Sequence, residues 1–214
     1  MLITFTLPER PLQIAVFGSA QDLKYGADLE KLAEEVGFWI AKSSSGLIYG
    51  AEKDYDSLST AACRGARKGE ANFWQIMGVT YGKGKEVKDK DLGGWIMPTG
   101  MERGGGREFV LGCTPDATIG LSGGSGTLNE LVVAYQQDIP LIGLKGTGGR
   151  TDEFIGRTFD SRRPWSPLYE ANSPKEAVEL ACYLGARYLL LNGFRAYVNP
   201  DAGLDLNKQI VWGR

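Results

Sequence analysis

The run Leu121-Ser122-Gly123-Gly124-Ser125-Gly126-Thr127-Leu128-Asn129-Glu130 constrains this chain more than any other stretch of it. An apolar segment, residues 117–121, leads in, and the helical spacing of Leu128, Leu131, Val132 and Tyr135 leads out. That order predicts a buried strand, a glycine turn and a helix start. Glycines let a backbone take positive φ and come close to a ligand. The first amides of a helix have no intrahelical acceptor and lie at the positive end of the helix dipole. Together these features make a cradle for a phosphate. Glu130 lies one turn into the same helix, so an anion site and a candidate general base share one element.

The same alternation recurs along the chain. Residues 12–17 read as a strand broken by Gly18-Ser19-Ala20, and Leu29, Leu32, Ala33, Val36, Ile40 and Ala41 follow at helical spacing. Residues 46–50 form a short strand ending in Gly50. Leu58, Ala61, Ala62, Gly65 and Ala66 then mark a small-residue helix face suited to close packing on a sheet. Residues 72–79 and 95–97 are read as strands, with a Gly/Lys/Asp-rich loop over 81–94 between them, and 107–113 as a short helix. After the glycine turn and its helix come a strand at 140–144 and a second glycine loop, Gly146-Thr147-Gly148-Gly149. Ser173-Pro174-Lys175-Glu176 has the spacing of a capping box with proline at the first helical position. Residues 192–214 are open between a strand, an arm and an oligomer contact. No repeat or low-complexity linker interrupts the chain, so one α/β domain over 1–214 is expected, with its core at about 12–190. Its sheet is mostly parallel with helices on both faces, and ligands bind beyond the carboxyl ends of the strands. Glycine turns at Gly18, Gly50 and Gly123 can meet in one such cleft.

Composition removes several functions. A net charge of -2 gives no general attraction to nucleic acid or to an anionic membrane. No apolar run approaches the ~20 residues of a membrane span, and the first residues lack the pattern of a signal peptide. Cys63, Cys113 and Cys182 are widely spaced, with no C-x-x-C pair, and read as reduced cytosolic thiols, mostly core fillers. A cytoplasmic protein is expected. The chain has no histidine, so no Ser-His-Asp triad, imidazole base or histidine zinc site exists. No Walker A lysine motif is present either. The lysines at 83, 85, 88 and 90 interleave with Glu86, Asp89 and Asp91, the pattern of a solvated loop.

These residues resemble the LONELY GUY (LOG)-type, Rossmann-like family, whose members carry the label "possible lysine decarboxylase". Its signature, P-G-G-x-G-T-x-x-E, is matched from Gly123 to Glu130 with Ser122 in place of the proline. A preceding arginine, in a segment ending in an aspartate before the strand, is matched by Arg107 and Asp116, and Val16-Phe17-Gly18-Ser19 resembles the first strand and turn. The resemblance runs over about 12–190. It is greatest to a branch that includes molybdenum-cofactor carrier proteins, through Gly146-Thr147-Gly148-Gly149-Arg150-Thr151-Asp152 and Ser173-Pro174-Lys175-Glu176-Ala177-Val178.

The resemblance implies a Rossmann-like domain with two functional options. One is a carrier or sensor for a phosphorylated ligand, either the molybdenum cofactor or a nucleoside monophosphate, with no cofactor required. The other is a phosphoribohydrolase that removes the base from a nucleoside 5'-monophosphate, with Glu130 as catalytic carboxylate and Arg107 as its partner. Carboxylate stabilisation of an oxocarbenium-like centre and the forked donors of arginine suit that chemistry. Gly18, Ser19, Gly50, Gly123, Gly124, Ser125, Gly126, Thr127 and Gly148 are the expected ligand or phosphate contacts, with no metal. Arg103 is a second candidate arginine, and Cys113 is expected in the core. Lysine decarboxylation is not expected, because no Schiff-base lysine site is evident. A homo-oligomer is implied, through the small-residue helix at 58–66 or the helix at 127–137. Three positions depart from the hydrolase pattern: Ser122 for proline, Gly50-Ala51-Glu52 for a glycine triplet, and Glu108 where lysine follows the arginine.

Overall fold

The computed structural model describes residues 6–20, 24–83, 86–89, 93–101 and 106–206. Seven strands lie side by side, all parallel: β2 (Gln13–Gly18), β3 (Gly46–Gly50), β4 (Ile76–Thr80), β5 (Trp95–Pro98), β6 (Ala117–Leu121), β7 (Leu141–Leu144) and β8 (Leu168–Ala171), in the order β5-β4-β3-β2-β6-β7-β8. A separate parallel pair joins β1 (Glu9–Pro11) to β9 (Arg195–Tyr197). Six helices connect them: α1 (Ala27–Lys42), α2 (Leu58–Lys68), α3 (Gly106–Cys113), α4 (Ser125–Gln136), α5 (Gly149–Phe154) and α6 (Pro174–Leu191).

Alternation along the strands builds two cores. Ile14 and Val16 face a cluster shared with α1, α2 and α6, whereas Ala15 and Phe17 face one shared with α3 and α4. Parallel strands buried on both faces read as near-continuous apolar runs, which is why the sequence shows them so clearly. The result is a Rossmann-like α/β domain. The small-residue face of α2 closes on α1 as well as on the sheet. A Cβ at Gly65 would lie 1.7 Å from the Glu34 carbonyl oxygen, and one at Gly37 1.7 Å from that of Ala62. That face is therefore filled within the chain and is not an exposed oligomer interface.

Several expectations shift. The strand read from residue 72 begins at Ile76, because Asn72 and Gln75 form a reciprocal capping box around a short 3-10 turn. At α6, Ser173 caps Glu176 as expected, but the Glu176 carboxylate accepts from the Asn172 amide rather than from Ser173. Cys113 is exposed rather than in the core, while Cys63 and Cys182 are buried. Asp116 accepts two hydrogen bonds from Arg10, at 2.7 and 2.8 Å, and one from the Gln13 amide, tying β1 to the amino end of β2. In the tail, residues 195–197 form β9, and 207–214 lie outside the described residues, as do Arg103, Lys85, Lys90 and Asp91. Among the described residues no helix is long and apolar enough to cross a membrane.

Candidate functional site

The strand order reverses at β2, which has β3 on one side and β6 on the other. At such a point the loops leave the sheet in opposite directions and a crevice opens beyond the carboxyl ends of the strands. Here Gly18, ending β2, pairs with Leu121, ending β6. A Cβ on Gly18 would lie 2.7 Å from that of Leu58, so glycine lets the start of α2 pack against the end of β2. A cavity of about 660 Å³ lies over it, within the usual range for small-molecule sites. Gly18, Gly50, Arg107, Gly124, Ser125, Gly126, Thr127 and Glu130 all line it, together with Glu52 and Glu108. Ser59, which no sequence motif marks, and Asn129, at an unspecified position of the signature, are further lining residues.

Between β6 and α4 the chain turns sharply, with Ser122 at φ 53° and Gly123 at φ 93°. Gly123 has no room for a side chain, since a Cβ would lie 2.4 Å from Thr127 Cβ. Neighbouring loops clamp the turn. The Gly123 amide donates to Ser19 Oγ at 2.8 Å, and the Ser122 amide donates to Thr147 Oγ1 at 2.8 Å. Amides of Arg150 and Thr151 donate to the Gly123 and Ser122 carbonyls at 2.9 and 3.0 Å. Ser19 and Gly123 thus hold the turn in place and do not line the cavity. Gly148 is also outside the lining. Its amide and that of Gly146 donate to the Asp152 carboxylate at 2.8 and 3.0 Å, so the second glycine loop caps α5 and braces the first. By contrast, α4 starts at Gly124 with no side-chain cap, and its first intrahelical bond is the Leu128 amide to the Gly124 carbonyl. Its opening amides, from Ser125 to Thr127, therefore sit on residues that line the cavity.

The opposite wall is carboxylate-rich. Arg107 donates from Nη1 to Glu52 Oε1 at 3.0 Å, and its Nη2 lies 3.7 Å from Glu108 Oε1. Both Arg107 and Glu52 side chains are 6% exposed. The Tyr81 ring covers the guanidinium, 5.4 Å away. Burial works against the Arg107 charge, yet Glu52, Glu130 and Glu108 outweigh it and hold the guanidinium more firmly protonated than usual. Glu130 responds in the other direction. Burial pushes its carboxyl up to about 8, Arg107 only partly offsets this, and Glu108 and Glu52 add to the rise. At neutral pH Glu130 is mostly a neutral acid. Two buried atoms, Glu52 Oε2 and Arg107 Nε, have no hydrogen-bond partner among the described residues.

The SLOG cluster4 family model matches residues 11–178, most of the chain and all of the cleft. The chain belongs to the SLOG cluster4 family. Solved structures share its fold at low identity. A structural-genomics protein designated TM1055 gives a TM-score of 0.67 at 24% identity, covering 79% of this chain and 97% of that one. The molybdenum cofactor binding protein of Rippkaea orientalis gives 0.65 at 22%, over 80% and 95% of the two chains. The Moco carrier protein of Chlamydomonas reinhardtii gives 0.66 at 19%, over 83% and 99%. Among curated protein sequences none matches.

Within this SLOG domain the three departures from the hydrolase pattern turn out to be structural choices. Proline cannot adopt the positive φ of Ser122, and it has no amide to give Thr147. Glu52, in place of a third glycine, is the ion-pair partner of Arg107. Glu108 adds a second buried carboxylate where the pattern has a cation.

Proposed function

We propose that this chain binds a phosphorylated, nucleotide-like ligand as a carrier or sensor, with the phosphate on the opening amides of α4. The uncapped start of α4 against a 660 Å³ cavity carries the reading. Positively polarised amides with neither side-chain cap nor intrahelical acceptor are the arrangement an anion completes. A phosphorylated pterin such as the molybdenum cofactor is the leading cargo. Its support is the fold shared with proteins described as binding or carrying that cofactor. A nucleoside monophosphate is the other. The reading includes a homo-oligomer, with α4 as the remaining candidate interface.

Carriage is favoured over hydrolysis by the state of the acid–base pair. Arg107 is already neutralised by Glu52, and Glu130 is mostly protonated at neutral pH, so the pair lacks the ionised carboxylate that oxocarbenium stabilisation uses. The second reading is a phosphoribohydrolase, favoured by one observation: Arg107 and Glu130 line the same cavity. There, water would add to C1' as the C1'–N bond breaks, protonated Glu130 would give its proton to the departing base, and the carboxylate so formed would take the proton that the water loses.

Gly124→Asp tests the binding reading. Gly124 has φ -103°, open to any residue, and aspartate at that position caps α4. Unfolding should therefore stay cooperative and gain about 0.3 kcal/mol. The added carboxylate takes the place of the phosphate, so calorimetric titration should show affinity for inorganic phosphate and for nucleoside 5'-monophosphates lost. Undiminished affinity puts the ligand elsewhere. Mass spectrometry of the incubated nucleotides separates the two readings. Intact nucleotide or pterin released on denaturation supports carriage. Free base with ribose 5-phosphate, absent in Glu130→Gln, establishes the hydrolase.

A further inference from the structure

Glu130 and the open amides of α4 belong to one helix and one cavity, yet an anion suits only the amides. Ser125, Gly126 and Thr127 carry the uncapped amides, and the Glu130 carboxyl follows one turn later. Residues three apart on a helix are neighbours, and helical side chains lean back toward the amino end. An anion at the start of α4 therefore has the Glu130 carboxyl at close range. Glu130 is 7% exposed and lines the cavity. Its oxygens have no hydrogen-bond partner among the described residues. Nor are they among the sealed polar atoms of the cleft wall, which are Glu52 Oε2, Glu108 Oε2 and Arg107 Nε. They are reached from the cavity itself. The cation that faces them, Arg107 of α3, is already bonded to Glu52. Glu108 of α3 and Glu52 of the turn after β3 add negative charge on the same side. The strands under α4 carry no charged residue, and α4 has none besides Glu130. On α5, Arg150 pairs with Glu153, and Asp152 holds the Gly146 and Gly148 amides, all away from the cavity lining.

We propose that Glu130 must be protonated for an anion to occupy the start of α4, so that ligand uptake at this site is coupled to uptake of a proton. The proposal rests on the phosphate reading of the site. A carboxylate and a phosphate in one water-poor pocket repel each other strongly, and a proton on the carboxyl removes that repulsion. The protonated group also gains an O–H to donate to an anion oxygen. Linkage makes the coupling reciprocal. A bound anion holds the proton on Glu130, and loss of the proton expels the anion. Burial, offset only in part by Arg107, already pushes the Glu130 carboxyl up to about 8. The site therefore accepts an anion at neutral pH and gives it up in mild alkali. Glu130 thus acts as a charge gate on the cradle that its own helix provides.

Calorimetric titration of inorganic sulfate and adenosine 5'-monophosphate into wild type and the near-isosteric Glu130→Gln variant, from pH 7 to pH 9, tests this. Sulfate is a dianion throughout and the nucleotide phosphate almost wholly so, which keeps the probes' own charge constant. Arg107 is held more firmly protonated than usual, and the Tyr81 phenol over it is pushed up to about 12, so neither changes charge in this window. Wild-type affinity for both probes should fall about tenfold from pH 7 to pH 9, with about one proton taken up per anion bound at pH 9. Glu130→Gln should keep its affinity across the range and exceed wild type about tenfold at pH 9. General effects of pH act on both proteins, so the difference between them belongs to Glu130. The proton count comes from wild type alone, by repeating the pH 9 titration in buffers of different ionisation enthalpy, so the test survives a variant that fails to fold. A flat wild-type affinity, no proton uptake at pH 9, or the same slope in both proteins overturns the coupling and leaves the phosphate cradle standing. No binding of either probe to either protein removes the cradle and this inference with it.

Discussion

Two turns leave the carboxyl ends of the parallel strands on either side of β2 and line one cleft, yet they present opposite faces to a ligand. After β6, residues 125–127 offer backbone amides, fixed in sign by the direction of α4 and without a side-chain cap. After β3, Gly50-Ala51-Glu52 offers a buried carboxylate already bonded to Arg107. The fold creates the crevice, but a single side chain decides whether a turn attracts or repels an anion. A backbone cradle keeps its sign whatever the sequence around it, whereas a glycine replaced by glutamate reverses the other wall. The cleft therefore has two unlike walls, one of uncapped helix amides and one of carboxylates around Arg107, and experiments that disturb one wall at a time should separate them.

The largest effect is expected at the carboxylate wall. Arg107→Ala would leave Glu52 buried near Glu130 without its cation. Breaking a buried pair by removing one partner costs about 3–5 kcal/mol. Urea unfolding should show that loss, and showing it more strongly at pH 8 than at pH 5 would identify unpaired carboxylates as its source. A cost within the range of an exposed surface pair would mean that water reaches this wall and that the division of the cleft is overdrawn.

At the amide wall the expected disruption is somewhat smaller. Ser122→Pro restores the family's signature spelling, yet it should destabilise by on the order of 3 kcal/mol, since proline fixes φ near -65° and removes an amide. The Ser122 position requires φ 53°, and its amide is bonded to Thr147. Denaturant midpoints of Ser122→Pro beside Ser122→Ala, which keeps the amide, measure the backbone contribution. Equal midpoints would show that the turn relaxes freely.

How much of this was readable beforehand follows from what is local and what is not. The glycine turn, the parallel sheet and the start of α6 depend on residues close together in sequence, and the patterns of 117–121, 123–130 and 173–176 carry them. The Glu52–Arg107 bond joins residues 55 positions apart, and no spacing rule predicts which of several acidic neighbours an arginine takes. Gly148 follows a strand and a loop of glycines, as a cleft residue would, but Asp152 four residues on draws its amide away. Short strands escaped for a related reason. Residues 168–171, Leu-Tyr-Glu-Ala, are held in the sheet by pairing with β7 rather than by any periodicity of their own. The backbone sign of Ser122 is invisible in a sequence, because serine adopts either.

The effect that is smallest per pH unit is also the one that links the two walls to chemistry. Glu130 sits on α4, the helix whose opening amides form the amide wall, but its titration is set first by burial and then by Arg107, Glu108 and Glu52 of the wall opposite. Its folded carboxyl is raised from about 4.5 to about 8. Between those values the folded chain holds a proton that the unfolded chain has released. The stabilisation is therefore complete below the unfolded value and is lost as pH rises through the folded one. Wild-type stability should fall by about 1.4 kcal/mol per pH unit from this group between pH 5 and 7, levelling above 8. Glu130→Gln, neutral throughout, should remove that slope, so the difference between the two unfolding series isolates the residue from every other titrating group. Parallel series would mean that Glu130 is ionised at neutral pH beside Arg107. The pair would then have the charges that glycosidic cleavage uses, and the hydrolase reading would gain over carriage.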